Sequence, residues 1–259
     1  MTPKIIHYCW FGRSPLPKSA IRCINSWSKF FPDYEIKEWN EDNFDVNAIL
    51  YTRQAYSAKK YAFVSDYARF WILYNYGGLY FDVDVEVIRP LNDIVDKGCF
   101  MGCENSFTPL STEKNTNTGA DSLGVNPGLG LCMTPGHPFL KQMIDMYHDM
   151  YFILPDGSLN TKTIVSYTTE ILSQQGLCYI NEIQQVAGIW IYPKEYFCPK
   201  DYYTNILSIT PNTRTIHHYS ASWVSGRSKT RLKIKHFLGP KFCDFIRSVK
   251  KKMGLSTVE

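Results

Sequence analysis

The chain has 259 residues, of which 44% are hydrophobic and 20% charged, and its formal net charge is +4. This balance is ordinary for a globular protein and excludes an intrinsically disordered chain. The charge is uneven, because residues 227–252 contain ten Lys or Arg against a single acid, Asp244. That segment carries +9 and the remainder −5, so the basic character belongs to the C-terminal segment alone.

The eight cysteines lie mostly in apolar contexts, and none forms a Cys-x-x-Cys pair. The pattern predicts reduced, buried thiols, as in cytosolic proteins. The first residues show no basic start followed by an apolar core and a cleavage site, and no apolar run approaches the roughly 20 residues that span a bilayer. We therefore expect a cytoplasmic protein without a signal peptide or membrane-spanning helix.

Predicted helices and strands alternate along the first half of the chain, which favours an α/β protein with a mainly parallel sheet. The longest predicted helix covers residues 55–76, is dense in apolar residues and is ended by Gly77-Gly78. Residues 108–121 are rich in Thr, Asn and Ser and are predicted to form a flexible surface loop. The other predicted strands are 5–11, 34–39, 99–103, 189–192 and 214–218, and the other predicted helices are 20–31, 137–150, 163–172 and 232–253.

The strongest functional signal is the sequence Phe-Asp-Val-Asp-Val-Glu-Val at residues 81–87, directly after the two glycines. A strand would place Asp82, Asp84 and Glu86 on one face and the three valines on the other. A row of carboxylates is costly to bury alone, whereas a divalent cation that holds a phosphate would use it. The pattern therefore indicates an enzyme that acts on a nucleotide-activated substrate; a solvated edge strand is the alternative.

Four further residues are candidates for ligand contacts. Asp66 and Arg69 are three apart on the predicted helix and share a face. They form either a structural ion pair or an acceptor for sugar hydroxyls beside a bidentate donor for phosphate, and the nearby Asp-x-Asp favours the second interpretation. His7 and Trp10 end the first predicted strand, where a Trp either stacks on a nucleotide base or belongs to the core.

A polar and aromatic cluster occupies residues 217–223. Either His217 or His218 is a candidate metal ligand as neutral imidazole, and a purely structural pair is the alternative. Ser222 and Trp223 are candidate hydrogen-bond donors to a diphosphate, through hydroxyl and indole N–H.

These blocks together resemble glycosyltransferase family 32, the group with a DXD-containing sugar-binding region. That family includes bacterial capsule and lipopolysaccharide transferases, fungal initiating mannosyltransferases and, more distantly, the large glucosylating toxins. The matching blocks are residues 3–12 (Pro-Lys-Ile-Ile-His-Tyr-Cys-Trp-Phe-Gly), Ser65-Asp66-x-x-Arg69, residues 76–84 (Tyr-Gly-Gly-Leu-Tyr-Phe-Asp-Val-Asp) and His218-x-x-x-Ser222-Trp223.

The resemblance implies a GT-A fold, which is an α/β fold with a single Rossmann-like mixed sheet flanked by helices. It also implies metal-dependent transfer from a sugar nucleotide with retention of configuration, and Mn²⁺ or Mg²⁺ as cofactor. The catalytic residues that it implies are Asp66, Arg69, Asp82 and Asp84. The implied donor-binding residues are His7, Trp10, Ser65, Asp66, Arg69, Asp82, Val83, Ser222 and Trp223. The implied metal ligands are Asp84 and Asp82 with His218 or His217, since the doubled histidine leaves the register open by one.

The expected function is therefore transfer of a hexose or N-acetylhexosamine, from a UDP-sugar in preference to a GDP-sugar, to a glycan or lipid-linked saccharide in surface polysaccharide synthesis. Two other functions are considered. One is a sugar-nucleotide-binding or effector module without glycan transfer, and the other is a nucleotide-sugar phosphohydrolase, which should carry more carboxylates and no Ser-Trp pair.

We expect a transferase domain over residues 1–225 and a basic amphipathic helical extension over residues 226–259. The extension is either a solvated helix or a peripheral contact with anionic lipid at the inner face of the cell membrane. Nucleic acid is not an expected partner, because no recognition module accompanies the basic residues.

Overall fold

The computed structural model describes residues 2–106, 123–202 and 204–220. The predicted loop at 108–121, the candidate ligands Ser222 and Trp223, the domain boundary at 225 and the basic extension lie outside these residues. Seven helices and ten strands are present in the described part. The helices are α1 Lys18–Phe30, α2 Leu50–Ser57, α3 Tyr61–Tyr76, α4 Asn92–Val95, α5 Pro138–His148, α6 Ile164–Gln174 and α7 Lys194–Phe197. The strands are β1 Ile5–Cys9, β2 Glu35–Trp39, β3 Gly78–Tyr80, β4 Val85–Val87, β5 Phe100–Cys103, β6 Val125–Asn126, β7 Leu131–Met133, β8 Gln184–Val186, β9 Ile189–Tyr192 and β10 Thr215–His217.

Eight strands form one mixed sheet in the order β2-β1-β3-β7-β5-β9-β8, with β6 paired to β5. The predicted α/β class, with a mixed sheet flanked by helices, is confirmed. The prediction that the sheet is mainly parallel is wrong, because β7 runs antiparallel to both β3 and β5 at the centre of the sheet. Parallel pairs remain on either side, at β1–β2, β1–β3 and β5–β9.

Strands β6 and β7 are two parts of one interrupted strand. Both pair antiparallel with β5, and they do so at the same edge because β9 occupies the other one. Phe100 pairs with Cys132, but Gly102 pairs with Asn126, which leaves four residues more than an uninterrupted ladder requires. Residues 127–130 therefore bulge out of the sheet, as extra residues in an antiparallel ladder do.

The two faces of the sheet carry separate hydrophobic cores, because side chains alternate along each strand. Leu79 of β3 and Cys132 of β7 face the core shared with α1, α4 and α7. Their neighbours Tyr80 and Leu131 face the core shared with α2, α3, α5 and α6. The protein is thus a three-layer α/β/α arrangement over the described residues.

The predicted helix at residues 55–76 is two helices in the structure. Helix α2 ends at Ser57 and α3 begins at Tyr61. Between them Lys59 has a φ of 56°, in the left-handed region that an α-helix does not use. The apolar residues in this region do have helical spacing, but they belong to two helices that pack against each other.

A second sheet of two strands, β10 and β4, is held against the molecule by α1. The indole N–H of Trp27, which is fully buried, donates to the carbonyl of Val85 at 2.8 Å. The backbone N–H of Val87 donates to the Ser26 hydroxyl at 2.9 Å. These bonds fix the strand that follows the Asp-Val-Asp sequence.

Cysteine burial follows the sequence prediction except at one position. The seven cysteines in the described part are free thiols, and six are buried while Cys178 is exposed. No helix in the described ranges has both the length and the hydrophobicity that crossing a bilayer requires.

Candidate functional site

The acidic sequence at residues 81–87 forms a turn and a short strand in place of the single predicted strand. β3 ends at Tyr80, and the N–H of Val85 donates to the Asp82 carbonyl at 3.0 Å, which closes a tight turn. Asp residues favour such turns because their short side chains compete with sheet pairing. Asp82, Asp84 and Glu86 therefore do not form one row on one strand, and that prediction is wrong. The turn instead directs the two aspartates to different partners.

Asp82 belongs to a charged cluster under α3. Arg69 Nη2 lies 2.9 Å from Asp66 Oδ1 and 3.3 Å from Asp82 Oδ1, and its Nε donates to the Ser65 carbonyl at 3.2 Å. The guanidinium is stacked over the Tyr80 ring, with 4.8 Å between Cζ and the ring centroid. Arg69 is only 3% exposed, so one buried cation serves two carboxylates. The helical spacing of Asp66 and Arg69 thus predicts their contact correctly.

The electrostatics of this cluster are set by burial. Burial raises the pKa of Asp66 to about 7, even though the nearby Arg69 charge lowers it. Asp82, which competes for the same guanidinium, also raises the pKa of Asp66. Arg69 Nη1 is buried without a hydrogen-bond partner in the described part of the chain. An unpaired guanidinium N–H is costly in a protein interior, so this atom is suited to an anionic or hydroxylated ligand.

The bulge between β6 and β7 forms the opposite wall of this cluster. The Gly128 carbonyl accepts the Asp82 N–H at 2.9 Å, and the Gly128 N–H donates to Asn126 Oδ1 at 2.7 Å. A Cβ at Gly128 would lie 1.9 Å from Asp82 Oδ2 and 2.9 Å from Arg69 Nη1. Only glycine permits this approach, and it brings the backbone of the bulge against both charged groups.

Asp84 belongs to a second cluster, on the two-stranded sheet. Its Oδ1 lies 3.2 Å from His217 Nε2, and its Oδ2 accepts the N–H and the hydroxyl of Ser220, each at 2.8 Å. The His217 imidazole and the Ser220 donors hold the pKa of Asp84 well below its usual range, against the opposing effect of burial. The Asp84 carboxylate in turn raises the pKa of His217 well above its usual value. His217 Nδ1 is buried without a partner in the described residues.

The structure distinguishes the two adjacent histidines. His217 pairs with Val85 across the β4–β10 ladder and its ring contacts Asp84. The next residue points the other way, and His218 Nε2 lies 2.7 Å from Glu86 Oε2 at the surface. The side chain beside Asp84 is therefore that of His217, and the alternative placement of His218 there does not fit the geometry.

His7 does not fit the donor-binding role predicted for it. It lies in the middle of β1 and is 0% exposed. Nε2 lies 2.9 Å from the Gly77 carbonyl and Nδ1 accepts the indole N–H of Trp39 at 3.0 Å. A carbonyl only accepts and an indole N–H only donates, so the ring is neutral with its proton on Nε2. Burial lowers the pKa of His7 to about 4, consistent with a structural residue.

The other predicted site residues that the structure describes make only local contacts. Trp10 directly follows β1, is half-buried, and its indole N–H donates to the Ser14 carbonyl at 2.5 Å. The Ser65 hydroxyl donates to the Tyr61 carbonyl at 3.3 Å, within α3. Val83 is half-buried at the turn and packs against the core beneath α1.

Sequence reasoning missed four residues that contact the site or support it: Tyr80, Asn126, Gly128 and Ser220. The tripeptide Asn126-Pro127-Gly128 is a turn signal, but nothing local indicates that the turn lies against Asp82. Ser220 precedes the predicted Ser222-Trp223 pair by two residues and contacts Asp84 directly.

The donor atoms of the second cluster suit a divalent cation. Carboxylate oxygen is an ordinary ligand of Mn²⁺ and Mg²⁺, and Mg²⁺ commonly uses one or two carboxylates together with substrate phosphates and water. Because Asp84 raises the pKa of His217, the imidazole is protonated in this pair and would join as a ligand only on losing that proton. In the described residues, no three of His, Cys, Asp and Glu are grouped for metal binding. The protein thus offers Asp84 and His217, with Asp82 on the same turn, as a partial set that a bound diphosphate would complete.

Comparison with known proteins gives a consistent result. Residues 17–101 match the family described as "Glycosyltransferase sugar-binding region containing DXD motif". Inositol phosphoceramide mannosyltransferase 1 of Schizosaccharomyces pombe is 24% identical over 182 residues, covering 66% of this chain and 48% of the relative. Inositol phosphoceramide mannosyltransferase 3 of the same organism is 27% identical over 146 residues, covering 55% and 36%. The chain therefore spans about half of the first relative and about a third of the second. Among solved structures, the PaToxG glycosyltransferase has a TM-score of 0.46 at 17% identity, covering 68% of this chain and 70% of that one.

Proposed function

We propose that the chain transfers a hexose or N-acetylhexosamine from a nucleotide sugar to a glycan or lipid-linked acceptor, and the similarity of residues 17–101 to the glycosyltransferases with a DXD-containing sugar-binding region supports this proposal. The observation that carries the proposal is the pair of clusters at one turn. Asp82 with Arg69 and Asp66, and Asp84 with His217, lie on the two sides of Val83.

The residues of the Asp82 cluster are proposed to bind and orient the donor. Asp66 and Asp82 accept hydrogen bonds from sugar or ribose hydroxyls, and the free Arg69 Nη1 donates to a donor oxygen. Arg69 already has its other nitrogens engaged, so a donor would meet a guanidinium whose orientation is set in advance. Such preorganisation lowers the cost of ordering the site at the moment of binding.

The Asp84 cluster is proposed to act on the leaving diphosphate. Asp84 would hold Mn²⁺ or Mg²⁺, with His217 orienting the carboxylate or joining it as a ligand. The ion would supply Lewis-acid stabilisation of the negative charge that grows on the leaving diphosphate. Ser220 holds Asp84 Oδ2 and so fixes the carboxylate plane.

We propose that transfer proceeds with retention, on the same face of the sugar from which the diphosphate leaves. The anomeric carbon becomes oxocarbenium-like, and the leaving phosphate takes the proton of the acceptor hydroxyl. Isolation of the first-formed product and determination of its anomeric configuration tests this. A product inverted relative to the donor would refute it.

The donor and acceptor are best identified by assay with a panel of UDP- and GDP-sugars in Mn²⁺. The names of the two relatives add mannose as the transferred sugar and inositol phosphoceramide as the acceptor to the substrates that deserve early trial. Saturable donor hydrolysis that an acceptor accelerates supports a transferase, and it should cease in EDTA and return with Mn²⁺. Donor binding without turnover would indicate a binding module instead, and release of sugar phosphate would indicate a phosphohydrolase.

We also propose that the basic segment at residues 227–252 brings the enzyme to anionic lipid, on the cytoplasmic side of a membrane. Each Lys or Arg near such a surface contributes about 1 kcal/mol. Co-sedimentation with anionic vesicles should be lost in a chain ending at Val224. Equal binding of the full and shortened chains would contradict the proposal, as would equal binding to neutral vesicles.

A further inference from the structure

Glu104 directly follows β5 and is a half-buried carboxylate that contacts neither Asp82 nor Asp84 in the described hydrogen bonds. Its backbone N–H donates to the Gly124 carbonyl at 2.8 Å, which extends the pairing of β5 with β6 and fixes the residue to the sheet. Its side chain accepts a hydrogen bond from Asn126 Nδ2 at 3.0 Å. No step of the proposed transfer uses this group, so its hydrogen bond to the buried Asn126 calls for another explanation.

The amide of Asn126 is held at both ends. A carboxylate only accepts, so the NH₂ group must face Glu104. The amide oxygen then faces the Gly128 N–H, which donates to it at 2.7 Å. Asn126 is itself buried, so neither bond has a ready substitute in water. The orientation of the amide is therefore set by Glu104.

From Gly128 the series of contacts continues to the Asp82 cluster. The Gly128 carbonyl accepts the Asp82 N–H at 2.9 Å, and the glycine Cα is packed so closely that a Cβ would overlap the Asp82 carboxylate. The bulge at residues 127–130 has no partner strand along its length, and the bond from Asn126 links it back to β6. The position of Asp82 thus depends on where this bulge is held.

We propose that Glu104 is a positioning residue for Asp82. Through Asn126 it holds the Gly128 backbone against the turn, and it thereby sets the Asp82 carboxylate relative to the donor. The contact between Asp82 and the donor rests on the proposed function, whereas the linkage from Glu104 to Asp82 rests on the hydrogen bonds alone.

Steady-state kinetics with Mn²⁺ and the donor found in the panel test the linkage. Glu104→Ala should raise the donor KM about tenfold and change kcat less than about twofold, because a displaced Asp82 would weaken its contact with the bound and the reacting donor alike. Glu104→Gln should restore the wild-type KM, since its amide oxygen can still accept from Asn126. A Gln variant as impaired as the Ala variant would overturn positioning and point to a direct role of the charge.

A double-mutant cycle makes the test sharper. Asn126→Ala should match Glu104→Ala, and the double variant should be no worse than either single one, because all three break the same linkage. If the increase in donor KM in the double variant were the product of the two single increases, the two residues would act separately and the proposal would be overturned.

Amide hydrogen exchange supplies a measurement that does not depend on activity. Exchange at the Gly128 and Asp82 N–H groups should be about tenfold faster in Glu104→Ala than in the wild type. Thr169→Val is the matched control, because the Thr169 hydroxyl accepts the Val125 N–H at 2.9 Å on the same short strand but is not in the linkage. Faster exchange at Gly128 and Asp82 in both variants would indicate general loosening of β6 and would overturn the proposal. If the wild type turns over no donor, the proposed function fails, and the exchange data alone decide the linkage.

Discussion

The two aspartates of the Asp82-Val83-Asp84 turn are separated by one residue but belong to different parts of the molecule. Asp82 follows β3 of the main sheet and is held by Arg69 of α3 and the Gly128 backbone. Asp84 precedes β4 of the small sheet and is held by His217 and Ser220, near the end of the described chain. One turn thus joins a cluster within the main fold to a cluster on a two-stranded attachment.

Substitutions in the two clusters are therefore expected to differ in their effects on stability and on activity. The Asp82 cluster places the buried Arg69 guanidinium between the buried Asp66 and the half-buried Asp82, so a change at Arg69 should affect both stability and activity. The Asp84 cluster holds one carboxylate between a histidine and a serine, and the lowered pKa of Asp84 means that these contacts also stabilise the fold. A change there should lower activity most strongly and stability by less than the loss of the Arg69 guanidinium, which serves two carboxylates. The following variants test that distinction.

The largest expected effect on activity is that of Asp84→Asn. An amide cannot supply the negative charge that a divalent cation requires, so we expect donor turnover to fall by about a thousandfold or more. The single amide oxygen can accept from either His217 or Ser220 but not from both, since they contact different carboxylate oxygens, so the free energy of unfolding should fall by about 2 kcal/mol. Turnover assays and denaturant melts measure the two quantities.

Glu86→Gln is the matched control for that variant, because Glu86 lies two residues further on and its exposed carboxylate pairs with His218 at the surface. Its turnover should stay within about twofold of the wild type. Comparable losses in both variants would mean that general acidity of this strand, and not Asp84, supports turnover.

Arg69→Lys should lower both quantities. A lysine keeps the charge but cannot contact the Ser65 carbonyl, Asp66 and Asp82 together. We expect kcat/KM to fall about a hundredfold and the free energy of unfolding to fall by about 3 kcal/mol, because a buried carboxylate loses its partner. Arg13→Lys, in the exposed pair with Asp42, should change neither. Wild-type stability in Arg69→Lys would contradict the view that this cluster supports the fold.

The sequence predicts those parts of this comparison that depend on local periodicity. The contact of Asp66 with Arg69 follows from helical spacing, the first strand from an apolar run, and the second strand from alternation of polar and apolar residues. The turn at Asp82 does not, because the valines of residues 81–87 favour a strand while the aspartates favour a turn, and tertiary pairing decides between them.

The missed residues depend on contacts that are remote in sequence. Alternation along β10 predicts that His217 and His218 face opposite ways, but which one faces Asp84 follows only from the register with β4. Gly128 reaches Asp82 because β6 and β7 pair with the same edge of β5. Neither fact is present in any short window of the sequence.

The register of β10 gives the next prediction. His217→Gln should lower kcat/KM about tenfold, because residues that orient a metal-binding carboxylate contribute about that much. His218→Gln, one residue away, should leave kcat/KM within about twofold of the wild type because its partner Glu86 is at the surface. The reverse order of the two effects would show that His218 faces Asp84 in solution.

The smallest expected effect on activity is at His7, which lies outside both clusters and should matter only for stability in acid. The unfolded chain binds a proton at His7 below about pH 6.5, whereas the folded protein does so only below about pH 4. The folded state is therefore penalised as the pH falls from 6.5 towards 4, by up to about 3 kcal/mol, and the penalty is constant below that range.

His7→Gln removes the titrating ring, so its free energy of unfolding should fall less steeply than that of the wild type between pH 6.5 and 4. Denaturant melts across this range measure the slope, and the exposed His148→Gln is the control that should retain the wild-type slope. Other groups that titrate in acid are common to all three proteins, so the difference between slopes isolates His7. Identical slopes in the wild type and His7→Gln would mean that the ring is already charged in the folded protein. The Trp39 indole N–H would then face a protonated Nδ1, which cannot accept it, and the structural role assigned to His7 would fail.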